Sequence, residues 1–224
     1  MWIFLFYSFT LAQGILAEVD CSKSGFDECE TPAMFYFIPT EISTYNRLCP
    51  QLTAFFKCLK SFQDKCDEHI FDSKAEYEGM YGAFSDLCEE GTFLNTVATA
   101  NLRCFNDTFS TTDCPEKMKA ITGPYRSSID ETENEDDYRL PIEVMCLQDI
   151  LESDCLAADI GKNCGQAALE ATLEFFRRTF YVEDTCGVEN SKHVLKSLDM
   201  YKLDEEQKEL VIATLEKIII SGGD

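Results

Sequence analysis

Twelve cysteines fall in two blocks of six with nearly the same spacing, and that pattern constrains the fold more than any other feature of the chain. Cys49, Cys58, Cys66 and Cys88 are 9, 8 and 22 positions apart; Cys146, Cys155, Cys164 and Cys186 are 9, 9 and 22 apart. Cys21 and Cys29 precede the first quartet, and Cys104 and Cys114 precede the second. The offset between blocks is 97 or 98 residues. Twelve cysteines produce many spacings by chance, but three successive matches in order are harder to obtain. Flanking residues agree in the same register: Gln51 with Gln148, Leu59 with Leu156, Tyr77 with Phe175, Asp86 with Asp184. The spacing therefore reads as one unit used twice.

The N-terminus tells how those cysteines are used. Residues 1–17 carry no charge and are rich in Trp, Phe, Ile and Leu. The run is shorter than the ~18–20 apolar residues a span needs, and it ends in the small residues Ala12, Gly14 and Ala17. It reads as a signal peptide cleaved after Ala17, although a basic n-region is missing; a membrane anchor is the competing reading. A secreted chain passes through an oxidising compartment, where an even number of cysteines pairs. Zinc is the rival use, but no C-x-x-C occurs and only His69 and His193 are on hand. Six disulfides, with no cofactor and no metal, is the expectation.

Helical periodicity runs through both blocks. Tyr45, Leu48, Leu52, Phe55, Leu59 and Phe62 step by three and four, with Pro50 inside the run as a kink or a late start. Tyr77, Tyr81, Phe84 and Leu87 mark a second helix that stops near Gly91. In the second block, Leu147, Ile150 and Leu151 belong to the partner of the first helix. Leu169, Leu173, Phe176 and Phe180 form the stripe of the partner of the second. Residues 92–103 read as helical, and Pro115 suits a first helical turn. Residues 32–38 fit either a helix or a short extended run. At the end, Asp204, Glu205 and Glu206 open a helix whose stripe is Leu210, Val211, Leu215, Ile218 and Ile219. That stripe docks on the protein's own core or serves an interface.

The second block has 12 more residues between Cys114 and Cys146 than the first has between Cys29 and Cys49. The excess coincides with Ser127 to Tyr138, which carries six acidic residues and reads as a solvated loop. It lacks the glycine and spacing of a calcium-binding EF-hand loop.

Helix geometry restricts the pairing. At 100° per residue Cys49 and Cys58 point to opposite faces and cannot bond to each other. If neighbouring segments fold as antiparallel hairpins, facing residues have a constant sum of numbers. Cys21 with Cys66 and Cys29 with Cys58 both give 87. Cys104 with Cys164 and Cys114 with Cys155 give 268 and 269, which places a turn near residue 134. Cys49 with Cys88 and Cys146 with Cys186 then close hairpins turning near residues 68 and 166. This is one of 15 connectivities that six cysteines allow in each block.

Chemistry is hard to find. There is no G-x-S-x-G, no H-E-x-x-H and no phosphate-binding glycine loop. Neither histidine lies beside paired cysteines on a helix, as in phospholipase-type enzymes. With 41 acidic residues no acid–base pair stands out, and bridged cysteines leave no thiol nucleophile. The chain reads as a non-enzyme. Its net charge of −22 disfavours nucleic acid and anionic lipid, and suits either solubility or a cationic partner. The 17 Phe and 9 Tyr can fill two small cores or line an apolar cavity. One sequon, Asn106-Asp107-Thr108, falls after Cys104 in what reads as a surface junction loop suited to a glycan.

The run LCPQLTAFFKCLKSFQDKC, with the later SDLC, resembles secreted cysteine-rich helical domains of unknown function from arthropods and nematodes, common in arachnid secretions. The second block, MCLQDILESDCLAADIGKNC, has one more residue and no proline. The resemblance implies a helical fold and secretion, and no activity. The sequence thus predicts an all-α protein of two tandem disulfide-stapled helical units plus a C-terminal amphipathic helix. Its expected boundaries are a signal peptide at 1–17, a first unit at 18–103, a second at 104–202 with the insert 127–138, and a final helix at 203–224. The expected function is a secreted, non-enzymatic binding or structural protein of haemolymph or a glandular fluid such as venom or silk, with an extracellular protein as partner. Carriage of an apolar small molecule is the alternative, and inhibition of secreted proteases the third.

Overall fold

The computed structural model describes residues 20–130 and 142–221. The expected signal peptide and most of the acidic segment lie outside the described residues. Nine α-helices occur among them, and no strand: α1 (Gly25–Glu28), α2 (Ile42–Cys66), α3 (Lys74–Cys88), α4 (Phe93–Thr111), α5 (Cys114–Asp130), α6 (Ile142–Cys164), α7 (Gln166–Arg178), α8 (Val188–Ser197) and α9 (Glu205–Ser221). Two 3-10 turns, Ala33–Phe35 and Leu198–Met200, complete the set. The protein is all-α and disulfide-stapled.

Six bridges pin the helices: Cys21–Cys66, Cys29–Cys58, Cys49–Cys88, Cys104–Cys164, Cys114–Cys155 and Cys146–Cys186. Four of these are the pairs that the constant sums select, the other two are the pairs then left in each block, and each bridge stays within its own block. None of the twelve sulfurs is left free.

The long helix α2 forms because its apolar residues repeat at helical spacing. All six members of the Tyr45-to-Phe62 stripe are buried, and Pro50 sits within the helix. Asp67 ends it in the left-handed conformation at φ 53°. The turn that follows is braced by Gln63, whose Oε1 accepts from the backbone N–H of Phe71 at 2.8 Å. Ser73 then caps α3 by accepting from Glu76 N, while the Glu76 carboxylate accepts from Asp72 N, a reciprocal capping arrangement. Thr92 caps α4, and Asp204 and Gln207 make a capping box at α9. The α9 stripe docks on the protein's own core, with Val211, Leu215 and Ile218 buried against Leu147, Val194 and Leu198.

The two halves do not stand apart. Leu94 and Val97 of α4 share a core with Leu156 and Ile160 of α6 and with Ala168 and Ala171 of α7. Phe84 meets Phe175 edge-on at 5.1 Å, and Arg178 donates to Asp86 at 2.6 Å. Helix α4 also runs unbroken through residues 103 and 104, where the sequence reading divides the units.

Three expectations need correction. Asn106 is on α4, not in a junction loop: the apolar residues Leu94, Ala98, Leu102 and Phe105 continue the helical face past Cys104. Residues 127–130 belong to α5 rather than to a loop. On α7 the buried positions are Ala168, Ala171 and Thr172, whereas Leu173 is 49% exposed and Phe180 lies beyond the helix at φ 55°. The large residues suggested the stripe, but close packing against α6 selects the small ones.

Candidate ligand cavity

Where the two halves meet, the helices line an open apolar cleft of about 580 Å³. Its walls come from five elements. The strap of residues 34–38 lies on one side, held over α2 by Phe35, whose ring meets Phe55 at 5.5 Å and Phe84 at 5.7 Å. Tyr45 and Leu52 of α2 and Phe84 and Leu87 of α3 supply the first-half wall. Leu94, Ala98, Leu102 and Phe105 present one face of α4, and Ala171, Phe175 and Phe176 of α7 close the far side. The more exposed members of the lining, Tyr36, Phe37 and Phe109, mark the mouth.

Few polar groups reach this space, and most already have partners. The Tyr45 hydroxyl donates to Leu87 O at 2.5 Å, and burial pushes its pKa up to about 12, so it stays a neutral phenol. Thr172 donates to Ala168 O, and Ser110 donates to Asn106 O. The Asn106 amide donates to Asp107 at 3.2 Å. Each donor spent within the protein leaves acceptor oxygen at the wall. Among the described residues, no acidic or basic side chain, histidine or thiol lines the cavity. Such a surface suits an apolar ligand with one polar group.

The remaining site expectations are placed as follows. His69 is exposed in the turn after α2, 2.8 Å from Asp72, and His193 is exposed on α8. Among the described residues, the grouping closest to a metal site is Cys114, Cys155 and Asp159. Its two sulfurs bond to each other, and Asp159 accepts from Thr112 at 2.7 Å. No helix among the described residues is long and apolar enough to cross a membrane.

Sequence reasoning did not find the cavity walls on α4 and the strap. A signal existed: Leu94, Ala98, Leu102, Phe105 and Phe109 step by four, four, three and four. This chain matches no protein family, no curated protein and no solved structure.

Proposed function

We propose that this is a secreted, extracellular binding protein that carries an uncharged apolar small molecule between its two six-cysteine blocks, which are copies of one unit. The uncharged aromatic and aliphatic cavity carries the reading. Its size falls within the range of about 300–1,000 Å³ usual for small-molecule sites. Six bridges, no free cysteine and the apolar N-terminal run support secretion.

Charge narrows the ligand. A fatty-acid carboxylate would find no Lys or Arg among the described wall residues and would approach a protein of net charge −22. Burying an unpaired charge is costly. A long-chain alcohol, ester or hydrocarbon avoids that cost.

Native mass spectrometry of protein from its source should show bound apolar mass. A neutral fluorescent apolar probe should saturate at one per chain, and an anionic probe of equal length should bind more weakly. Leu102→Trp, which fills the cavity from α4, should abolish probe binding in a folded protein. Saturable binding that survives this variant would refute the site.

A further inference from the structure

The sequon residues behave differently once folded. Asn106 is half-buried on the cavity side of α4, and Phe109 and Ser110 follow it at i+3 and i+4 on the same face. Thr108 faces the other way and is 2% exposed. Its hydroxyl accepts from Asn163 Nδ2 at 3.2 Å and lies 3.7 Å from Cys164 Sγ, beside the Cys104–Cys164 bridge. A transferase that reads the Asn amide and the Thr hydroxyl together cannot reach both on the closed helix.

We propose that Asn106 is N-glycosylated before α4 closes on the second half, and that its glycan stands at the cavity mouth as a cover that slows ligand exchange. In the transfer, Asn106 Nδ2 forms a bond to the anomeric carbon of a lipid-pyrophosphate-linked oligosaccharide. The amide gives its proton to a base of the transferase, and the lipid pyrophosphate leaves with the electron pair of the broken C–O bond. The order follows from burial: Thr108 is accessible only while α4 is open and Cys104 is not yet joined to Cys164. The cover follows from placement, since Asn106 lies beside Phe109, which is 45% exposed, and Tyr36, at 78%, forms part of the same lining. Sugar rings over these aromatics would shield apolar surface that otherwise faces water. A cover that does not touch the bound ligand changes entry and exit together and leaves affinity nearly constant.

The exchange part rests on the carrier reading; the order of modification does not. Full-length chain secreted from eukaryotic cells should carry one glycan on the Asn106 peptide. Full-length chain made without glycan should be tested in two forms, fully bridged and reduced, with microsomal transferase and lipid-linked oligosaccharide. Only the reduced form should gain the mass of a glycan. Thr108→Ser keeps the sequon and Thr108→Val removes it, and neither alters the cavity wall. With a neutral apolar probe, the Val variant should load and release faster than the Ser variant, by about threefold or more, with Kd within about twofold. Trimming the wild-type glycan to its first sugar should have the same effect without any substitution. An unmodified Asn106, or equal transfer to both forms, overturns the modification; equal exchange rates overturn the cover. Absence of probe binding in every form overturns the cover and the carrier reading together, whereas an unmodified Asn106 with normal binding overturns only the present proposal.

Discussion

Gly79 tests how closely the two halves approach. It lies on α3 where the end of α7 crosses, and a Cβ built there would stand 2.6 Å from the carbonyl oxygen of Arg178 and 2.8 Å from the Phe180 ring. The first contact is a backbone oxygen at the end of α7, which cannot rotate away as a side-chain tip can. Overpacking of this kind costs about 1–3 kcal/mol. Replacing a helical glycine by alanine returns about 1 kcal/mol through propensity. Gly79→Ala should therefore lose up to about 2 kcal/mol, a fall in Tm of up to about 4–8 °C for a chain of this size. Gly82, one turn along the same helix, is the internal control. Its Cβ would meet only the far end of the Arg178 side chain, which can move. Gly82→Ala should leave Tm unchanged or raise it by about 2–4 °C. The difference between the two variants isolates the steric contribution. Calorimetry under non-reducing conditions, paired with probe titration, is the assay. Gly79→Ala should also weaken probe binding, because α3 and α7 are opposite cavity walls. Equal shifts in Tm for the two variants would refute the close approach of α3 to α7.

Burial raises the Asp149 carboxyl above its ordinary value of 3.8; a hydrogen bond from Thr185 opposes this, and the charges of Glu152 and Asp184 add to it. The folded protein thus holds that proton more tightly than the unfolded chain, so the stability it contributes is present below pH 3.8 and is lost as pH rises through the folded value. Asp149→Asn should raise Tm at neutral pH, leave it nearly unchanged near pH 3, and flatten the slope between; no gain at neutral pH would contradict this. Non-reducing peptide mapping should link no peptide from residues 21–88 to one from residues 104–186, and a single crossed bridge would break the two-block arrangement. The paired variant Cys49→Ser with Cys88→Ser should cost about 2–5 kcal/mol in chemical denaturation. Deleting Glu131 to Asp137 should preserve the helical circular dichroism spectrum if the sequence reading of a solvated segment holds, since shortening a closing segment changes its cost by only about 0.6 kcal/mol per doubling. A calcium-dependent rise in Tm that vanishes with the deletion would instead make the segment a cation site.

Much of the fold was legible because two periodicities agree. The helical stripe from Tyr45 to Phe62 identified α2, and the constant sums around it selected Cys29–Cys58 and Cys21–Cys66. Both signals are local or depend only on antiparallel packing. Legibility ended where long-range packing decides. On α7 the sequence offers large residues at helical spacing, but the buried positions facing α6 are Ala168 and Ala171, Phe176 is only partly buried, and Leu173 turns to solvent. Asn106 read as a loop residue because a sequon and a presumed boundary coincided there. The helix continues because its buried face runs on past Cys104, where Thr108 accepts from Asn163, 55 residues away in sequence. The cavity was invisible for a related reason: a filled and a hollow aromatic core have the same composition, and only the distance between opposed walls separates them.

Helix α4 has a consequence for how the protein comes apart. Its N-terminal half packs Ala98 and Leu102 against Tyr45 and Cys49, while Cys104 ties it to the end of α6. A single rigid rod is thus a wall of one block and a strut of the other. Melting either block strips one side of that rod and leaves its apolar residues facing water. Partial unfolding therefore has no stable stopping point, and heat should take the molecule from native to denatured in one cooperative step, with the calorimetric and van't Hoff enthalpies equal. Two blocks joined by an ordinary linker would melt in turn; two blocks sharing a helix melt as one.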